Sequence, residues 1–178
     1  MTNTINVGIA GLGAIGMPVA RWLDAGVAGL NLCGVSSGNK ERAVERMSGF
    51  TSPPPVLELQ ELVSISDLVV EALPPKHFDE VADLTLAAGK KLIVLTLTSL
   101  LPRLDLVDKA SNTGGQIIAA TGALVGFDAV RAAAKGEIYS VTMKTRKPPE
   151  GLKKATFVVE QGIDLDDLKE PLCLYSGS

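Results

Sequence analysis

A chain of 178 residues is long enough for one domain with a full core, or for one domain and part of another. Its 17 basic and 20 acidic residues leave a net charge of −3, without the basic excess that a general nucleic-acid binder uses to displace counterions from phosphates. Hydrophobic residues make up 46% and aromatic ones 4%, so the core is aliphatic, and no apolar run is long enough to span a bilayer.

The opening Met1-Thr2-Asn3-Thr4 carries neither the basic nor the apolar segment of a signal peptide. Ile5 to Ala10 reads as a buried strand ended by glycines. Beyond it, Ile15, Val19, Trp22 and Leu23 fall at the spacing of one helix face, which predicts that they turn toward a core. Pro18 lies near the helix start, where its missing N–H costs little. Leu30 to Val35 is a second strand, and Lys40 to Met47 a second helix. The alternation continues with a strand at Leu68 to Ala72, a helix from His77 to Ala88 ending at Gly89, and a strand at Leu92 to Thr96. A helix near Arg103 to Ala110 and a strand at Gln116 to Ala120 complete it. Strands that alternate with helices and are apolar on both faces predict an α/β fold, a doubly wound parallel sheet of Rossmann type over residues 1–120.

From Thr121 the pattern changes. A helix from Phe127 to Lys135 precedes Ile138 to Arg146, which alternates like a strand with one exposed face and stops before Pro148-Pro149. Residues 121–178 are therefore expected to form an incomplete second α+β domain, for substrate and dimerisation. The two cysteines, Cys33 and Cys173, show no metal-ligand spacing, so no metal is expected and a cytoplasmic chain keeps both reduced.

Gly11-Leu12-Gly13-Ala14-Ile15-Gly16 fits G-x-G-x-x-G in its required setting, after a strand and opening a helix. In that fingerprint the first glycine permits the turn, the second admits a pyrophosphate to the backbone, and the third lets helix and strand pack closely. The competing reading is a glycine-rich connection without a ligand. At the end of the second strand, Ser36-Ser37-Gly38-Asn39-Lys40 offers no acid to hold the adenosine ribose of NAD. Ser36 and Ser37 can donate to a 2′-phosphate and Lys40 or Arg42 can neutralise it, which favours NADP at least equally. Arg42 reads equally well as part of a solvated helix face.

Three later stretches resemble the L-aspartate dehydrogenase family: Val70-Glu71-Ala72-Leu73-Pro74 with His77 beyond, Val94 to Leu101, and Thr121-Gly122-Ala123-Leu124-Val125-Gly126-Phe127-Asp128-Ala129. Thr145-Arg146-Lys147-Pro148-Pro149 is a fourth. The resemblance runs over essentially the whole chain. It implies NAD(P)-dependent oxidation of L-aspartate to iminosuccinate, which hydrolyses to oxaloacetate and ammonia and also feeds NAD biosynthesis. It places Ala123 at the nicotinamide end, and puts the family's catalytic histidine and an asparagine cofactor contact beyond Ser178. Little oxidation of L-aspartate is therefore expected from these 178 residues alone.

The expected cofactor contacts are Gly11, Gly13, Ala14, Ile15 and Gly16 in the turn, with Ser36, Ser37 and Lys40 after the second strand. Ala72, Leu73, Pro74 and His77 follow the third strand, Thr96 the fourth, and Ala123 the fifth. His77 is read as a peripheral cofactor contact or an exposed helix-start residue, not as the catalytic base. Thr96, Thr98 and Ser99 either meet the cofactor or cap the next helix. Glu71, ending a buried strand, is expected to be hydrogen-bonded locally. Arg146 and Lys147 either meet substrate carboxylates or sit exposed at a strand end. Two other readings compete: an oxidoreductase of the β-hydroxyacid type, which Gly11 to Pro18 also resembles, and a non-catalytic nucleotide-binding protein. A sheet with an unpaired edge makes a homodimer the expected assembly.

Overall fold

The computed structural model describes residues 4–120 and 127–177. Its first unit, residues 1–127, is built on five parallel strands: β1 (Ile5–Ala10), β2 (Leu30–Ser36), β3 (Leu68–Glu71), β4 (Lys91–Val94) and β5 (Gln116–Ala119), in the order β2-β1-β3-β4-β5. Parallel neighbours need crossovers, and the intervening helices supply them on both faces. These are α1 (Gly16–Asp24), α2 (Lys40–Arg46), α3 (Leu59–Ile65), α4 (Phe78–Ala87), α5 (Leu97–Leu100) and α6 (Asp105–Thr113). Beside β2, Val56 makes a single parallel bridge to Val35. There Val35 donates to the Pro55 carbonyl at 3.0 Å and Leu57 donates to the Val35 carbonyl at 2.8 Å. This strip stands where the third strand of a 3-2-1-4-5-6 Rossmann order would lie.

Two buried clusters cover the two faces of the sheet. Ile9, Val35, Met17, Ala20 and Leu23 pack with Ala43 and Met47 on one, and Val69, Leu92 and Val94 pack with Phe78, Val81 and Leu106 on the other. Among the described residues, Phe78 is the one aromatic with a fully buried side chain, in keeping with an aliphatic composition.

The face that α1 buries differs from the expected one. Gly16, Met17, Ala20 and Leu23 are buried, while Ile15 and Trp22 are more than half exposed, at 56% and 58%. Gly16 fixes the rotation. A Cβ there would lie 1.8 Å from the Gly11 carbonyl oxygen, so this side of the helix presses on the sheet and the 3.6-residue period carries it through positions 17, 20 and 23. Helix α3 went unpredicted because its first turn is closed by glutamates rather than by a Ser, Thr, Asp or Asn cap; Glu61 Oε2 accepts the Glu58 N–H at 3.1 Å.

The second unit, residues 128–178, contains α7 (Phe127–Ala133, which starts at the boundary), a 3₁₀ turn at Pro149–Gly151 and α8 (Thr156–Glu160). Ile138 to Arg146 is not a strand, contrary to expectation. Alternation earns a ladder only beside another strand, and the described residues of this unit hold none; Tyr139 at 87%, Val141 at 63% and Met143 at 67% lie exposed. Arg146 and Lys147 therefore sit in irregular exposed chain rather than at a strand end. Val158 and Leu165 are buried, and Lys153 bridges Glu150 at 2.7 Å and Asp166 at 2.5 Å.

Candidate functional site

The parallel register sets Ser36, Ala10, Glu71, Val94 and Ala119 in one row, so every loop that follows a strand opens along the same carboxyl edge. The order of strands reverses between β1 and β3, and an open α/β sheet forms its ligand crevice at that point. The glycine turn after β1 and Ala72-Leu73-Pro74 after β3 flank it.

Each glycine of the turn has its own reason. Gly11 has a φ of +103°, and a Cβ would fall 2.4 Å from the Ala72 carbonyl oxygen, so both conformation and space demand glycine. Gly16 is required by contact with the Gly11 carbonyl. Gly13 is required by neither: a Cβ there would have no heavy atom within 4 Å, and its φ is not in the left-handed region. Its missing side chain leaves space in front of the backbone, which is the space a pyrophosphate takes in this fingerprint. The N–H groups of Gly13, Ala14, Ile15 and Gly16 donate to no acceptor among the described residues, whereas Gly11 N–H is committed to the Ser36 carbonyl at 2.8 Å. Unpaired N–H groups at the start of α1 form an anion-binding end. The residues present fit a dinucleotide.

The other expected contacts divide. Gly11, Ser36 and Ala72 come together through the contacts just described. Ser36 is buried, and Ser37 makes only long contacts with Asn39, at 3.4 and 3.5 Å. Asn39 Oδ1 accepts the Arg42 N–H at 2.9 Å and caps α2. Lys40 is drawn away: its Nζ lies 2.6 Å from Glu58 Oε1, and that hydrogen bond holds the ammonium above its usual pKa. A 2′-phosphate would share Lys40 with Glu58. His77 is half-buried in a 3₁₀ turn, Pro75–His77, just before α4. Ala123 and its neighbours in Thr121-Gly122-Ala123 lie outside the described residues.

Glu71 is fully buried, and its partners are not local. Oε2 accepts the Leu95 N–H at 3.1 Å and the Thr96 N–H at 3.0 Å, and Oε1 accepts the Thr96 hydroxyl at 2.9 Å. The β3 carboxylate thus shapes the loop after β4. Thr96 directs its hydroxyl to Glu71 and leaves α5 without a side-chain cap, so the capping role is not taken. An acid inside an otherwise apolar strand is the sequence feature that marks such a clamp. Arg46 also escaped the sequence reading; its Nη1 donates to the Leu12 carbonyl inside the glycine turn.

Residues 11–120 match the family model described as homoserine dehydrogenase, NAD binding domain, and residues 128–178 match the one described as aspartate dehydrogenase, C-terminal. The L-aspartate dehydrogenase of Bradyrhizobium diazoefficiens is 42% identical over 99% of this chain and 63% of its own length. L-aspartate dehydrogenase 3 of Bordetella bronchiseptica is 45% identical over 98% of this chain and 64% of its own. The chain belongs to the L-aspartate dehydrogenase family. It spans just under two thirds of the length of these two relatives. Its first unit carries an NAD-binding domain. Among solved structures, scyllo-inositol dehydrogenase of Lactobacillus casei, with NAD(H) and scyllo-inositol bound, superposes with a TM-score of 0.57 at 15% identity, covering 75% of this chain and 41% of that one. That likeness carries the Rossmann fold and nothing finer.

Proposed function

We propose that the protein acts as an NAD(P)-dependent L-aspartate dehydrogenase, with the dinucleotide lying across the glycine turn. The observation that carries the reading is Gly13, a glycine that neither packing nor conformation requires and that opens a run of four N–H groups unpaired among the described residues. Family membership supports the amino-acid substrate. When bound, a nicotinamide dinucleotide supplies a hydride acceptor. The chain's own part is to hold the pyrophosphate on the N–H groups of residues 13–16, to seat the adenosine ribose near Ser36 and Ser37, and to shape the β4 loop through Glu71. Ala72, Leu73, Pro74, His77, Thr96 and Ala123 are proposed as further contacts toward the nicotinamide end. The domain boundary is proposed at Thr121.

NADP is proposed to bind at least as well as NAD, because no acid ends β2. The same reading extends to a cytoplasmic homodimer supplying iminosuccinate to NAD biosynthesis; light scattering tests the dimer. Calorimetry with NAD and NADP tests the site. Wild-type binding that Gly13→Val abolishes is the expected result, with Ser37→Asp shifting preference toward NAD. Equal affinity in Gly13→Val and wild type would remove the glycine turn from the site. NAD(P)H production from L-aspartate by the full-length protein tests the substrate.

A further inference from the structure

The Leu12–Gly13 peptide makes no backbone hydrogen bond at either end among the described residues. Gly11 is tied down by its N–H on Ser36, and the Gly13 carbonyl accepts the Met17 N–H at 3.3 Å. The peptide between them has glycine on its downstream side, with open space around it, so its plane is free to rotate unless something holds it. Arg46 holds it. This residue ends α2, whose Ala43 is buried in the same cluster as Met47 just beyond the helix, and its guanidinium donates to the Leu12 carbonyl.

A trans peptide is planar, with C=O and N–H pointing in opposite directions. Fixing the Leu12 carbonyl toward Arg46 therefore fixes the Gly13 N–H toward the opposite side, where it meets no acceptor among the described residues. A charged donor on the carbonyl also polarises the peptide and makes that N–H a stronger donor. We propose that Arg46 is a positioning residue for the dinucleotide's pyrophosphate, acting through the Leu12–Gly13 peptide. This rests on the glycine turn being the dinucleotide site.

The test is Arg46→Ala and Arg46→Lys in the full chain, with NAD and NADP affinities by calorimetry and the Gly13 amide followed by NMR without ligand. Losing a charge-assisted hold on one donor is expected to weaken both dinucleotides alike, by about tenfold. The Gly13 amide resonance should broaden or shift, and lysine should recover part of the affinity. If Arg46→Ala fails to fold, Arg46→Lys alone decides, with the same loss expected to be smaller but equal for the two ligands. A loss confined to NADP would mean that Arg46 meets the 2′-phosphate directly and would overturn the proposal. Unchanged affinity and an unchanged Gly13 amide would overturn it as well. Wild-type protein that binds neither dinucleotide would sink the parent reading and this one with it, and is told apart by needing no variant.

Discussion

At Glu71 three donors converge on one buried carboxylate, and two of them are backbone N–H groups with no other partner among the described residues. Glu71→Ala would bury those donors unpaired, and is expected to cost about 3 kcal/mol in chemical unfolding. Glu71→Gln keeps an acceptor for both N–H groups and can donate to the Thr96 oxygen, so it should cost about a third as much. An alanine variant within about 0.5 kcal/mol of wild type would show that the β4 loop does not depend on this clamp. The residue scale is also where sequence reading met its limit. G-x-G-x-x-G announced Gly11, Gly13 and Gly16, because a backbone that must bend or be approached closely leaves a mark in residue type. Arg46 and the partners of Glu71 left none, since which carbonyl or N–H a side chain reaches is decided by packing between distant segments.

Between elements, α4 and α6 are joined by charge. Arg103, just ahead of α6, meets Asp79 at 2.5 Å, Asp105 at 2.9 Å and Asp83 at 3.4 Å, and Lys109 also bridges to Asp83. The Lys109 hydrogen bond holds the Asp83 carboxyl below its ordinary range, and Arg103 does the same for Asp105. A carboxylate depressed in the fold lends stability above its unfolded pKa, and that stability drains away as pH falls through the lower folded value. The pair should therefore keep its contribution above about pH 4 and lose it progressively below. Arg103→Met is expected to lower Tm at neutral pH, with the difference from wild type shrinking in about 1 M salt, where screening is strongest. A difference that persists undiminished in acid and in salt would assign the effect to packing of the arginine stem instead. Element identity was legible wherever period and flanking glycine agreed, as at α4 with Gly89 at a φ of +68° and α6 with Gly114 at +77°. It failed where a neighbour decides, as in the rotation of α1 and the unladdered stretch from Ile138 to Arg146.

Across the molecule the two units differ in how much they bury. The first has two aliphatic clusters, while in the second Val158 and Leu165 are the buried hydrophobics among the described residues. Among the described residues, no backbone hydrogen bond involves 138–147. Amide hydrogen exchange should be unprotected there and slowest in β1, β3 and β4, the strands flanked on both sides. Protection across 138–147 in the isolated chain would mean that this stretch does find a partner.

Pro53, Pro54 and Pro55 lead into Val56, which bridges to β2, and proline brings no N–H to a ladder. On that flank an incoming extended segment finds few donors to zip onto. β5 has a strand on one side only among the described residues, and its other border keeps its donors and acceptors. Growth of the sheet is thus polar, stoppered at one margin and open at the other. Misassembly in crowded or partly denatured solutions should then begin at Gln116–Ala119, so a lysine placed at the exposed Gln116 should improve solubility, and unchanged solubility would argue against this margin.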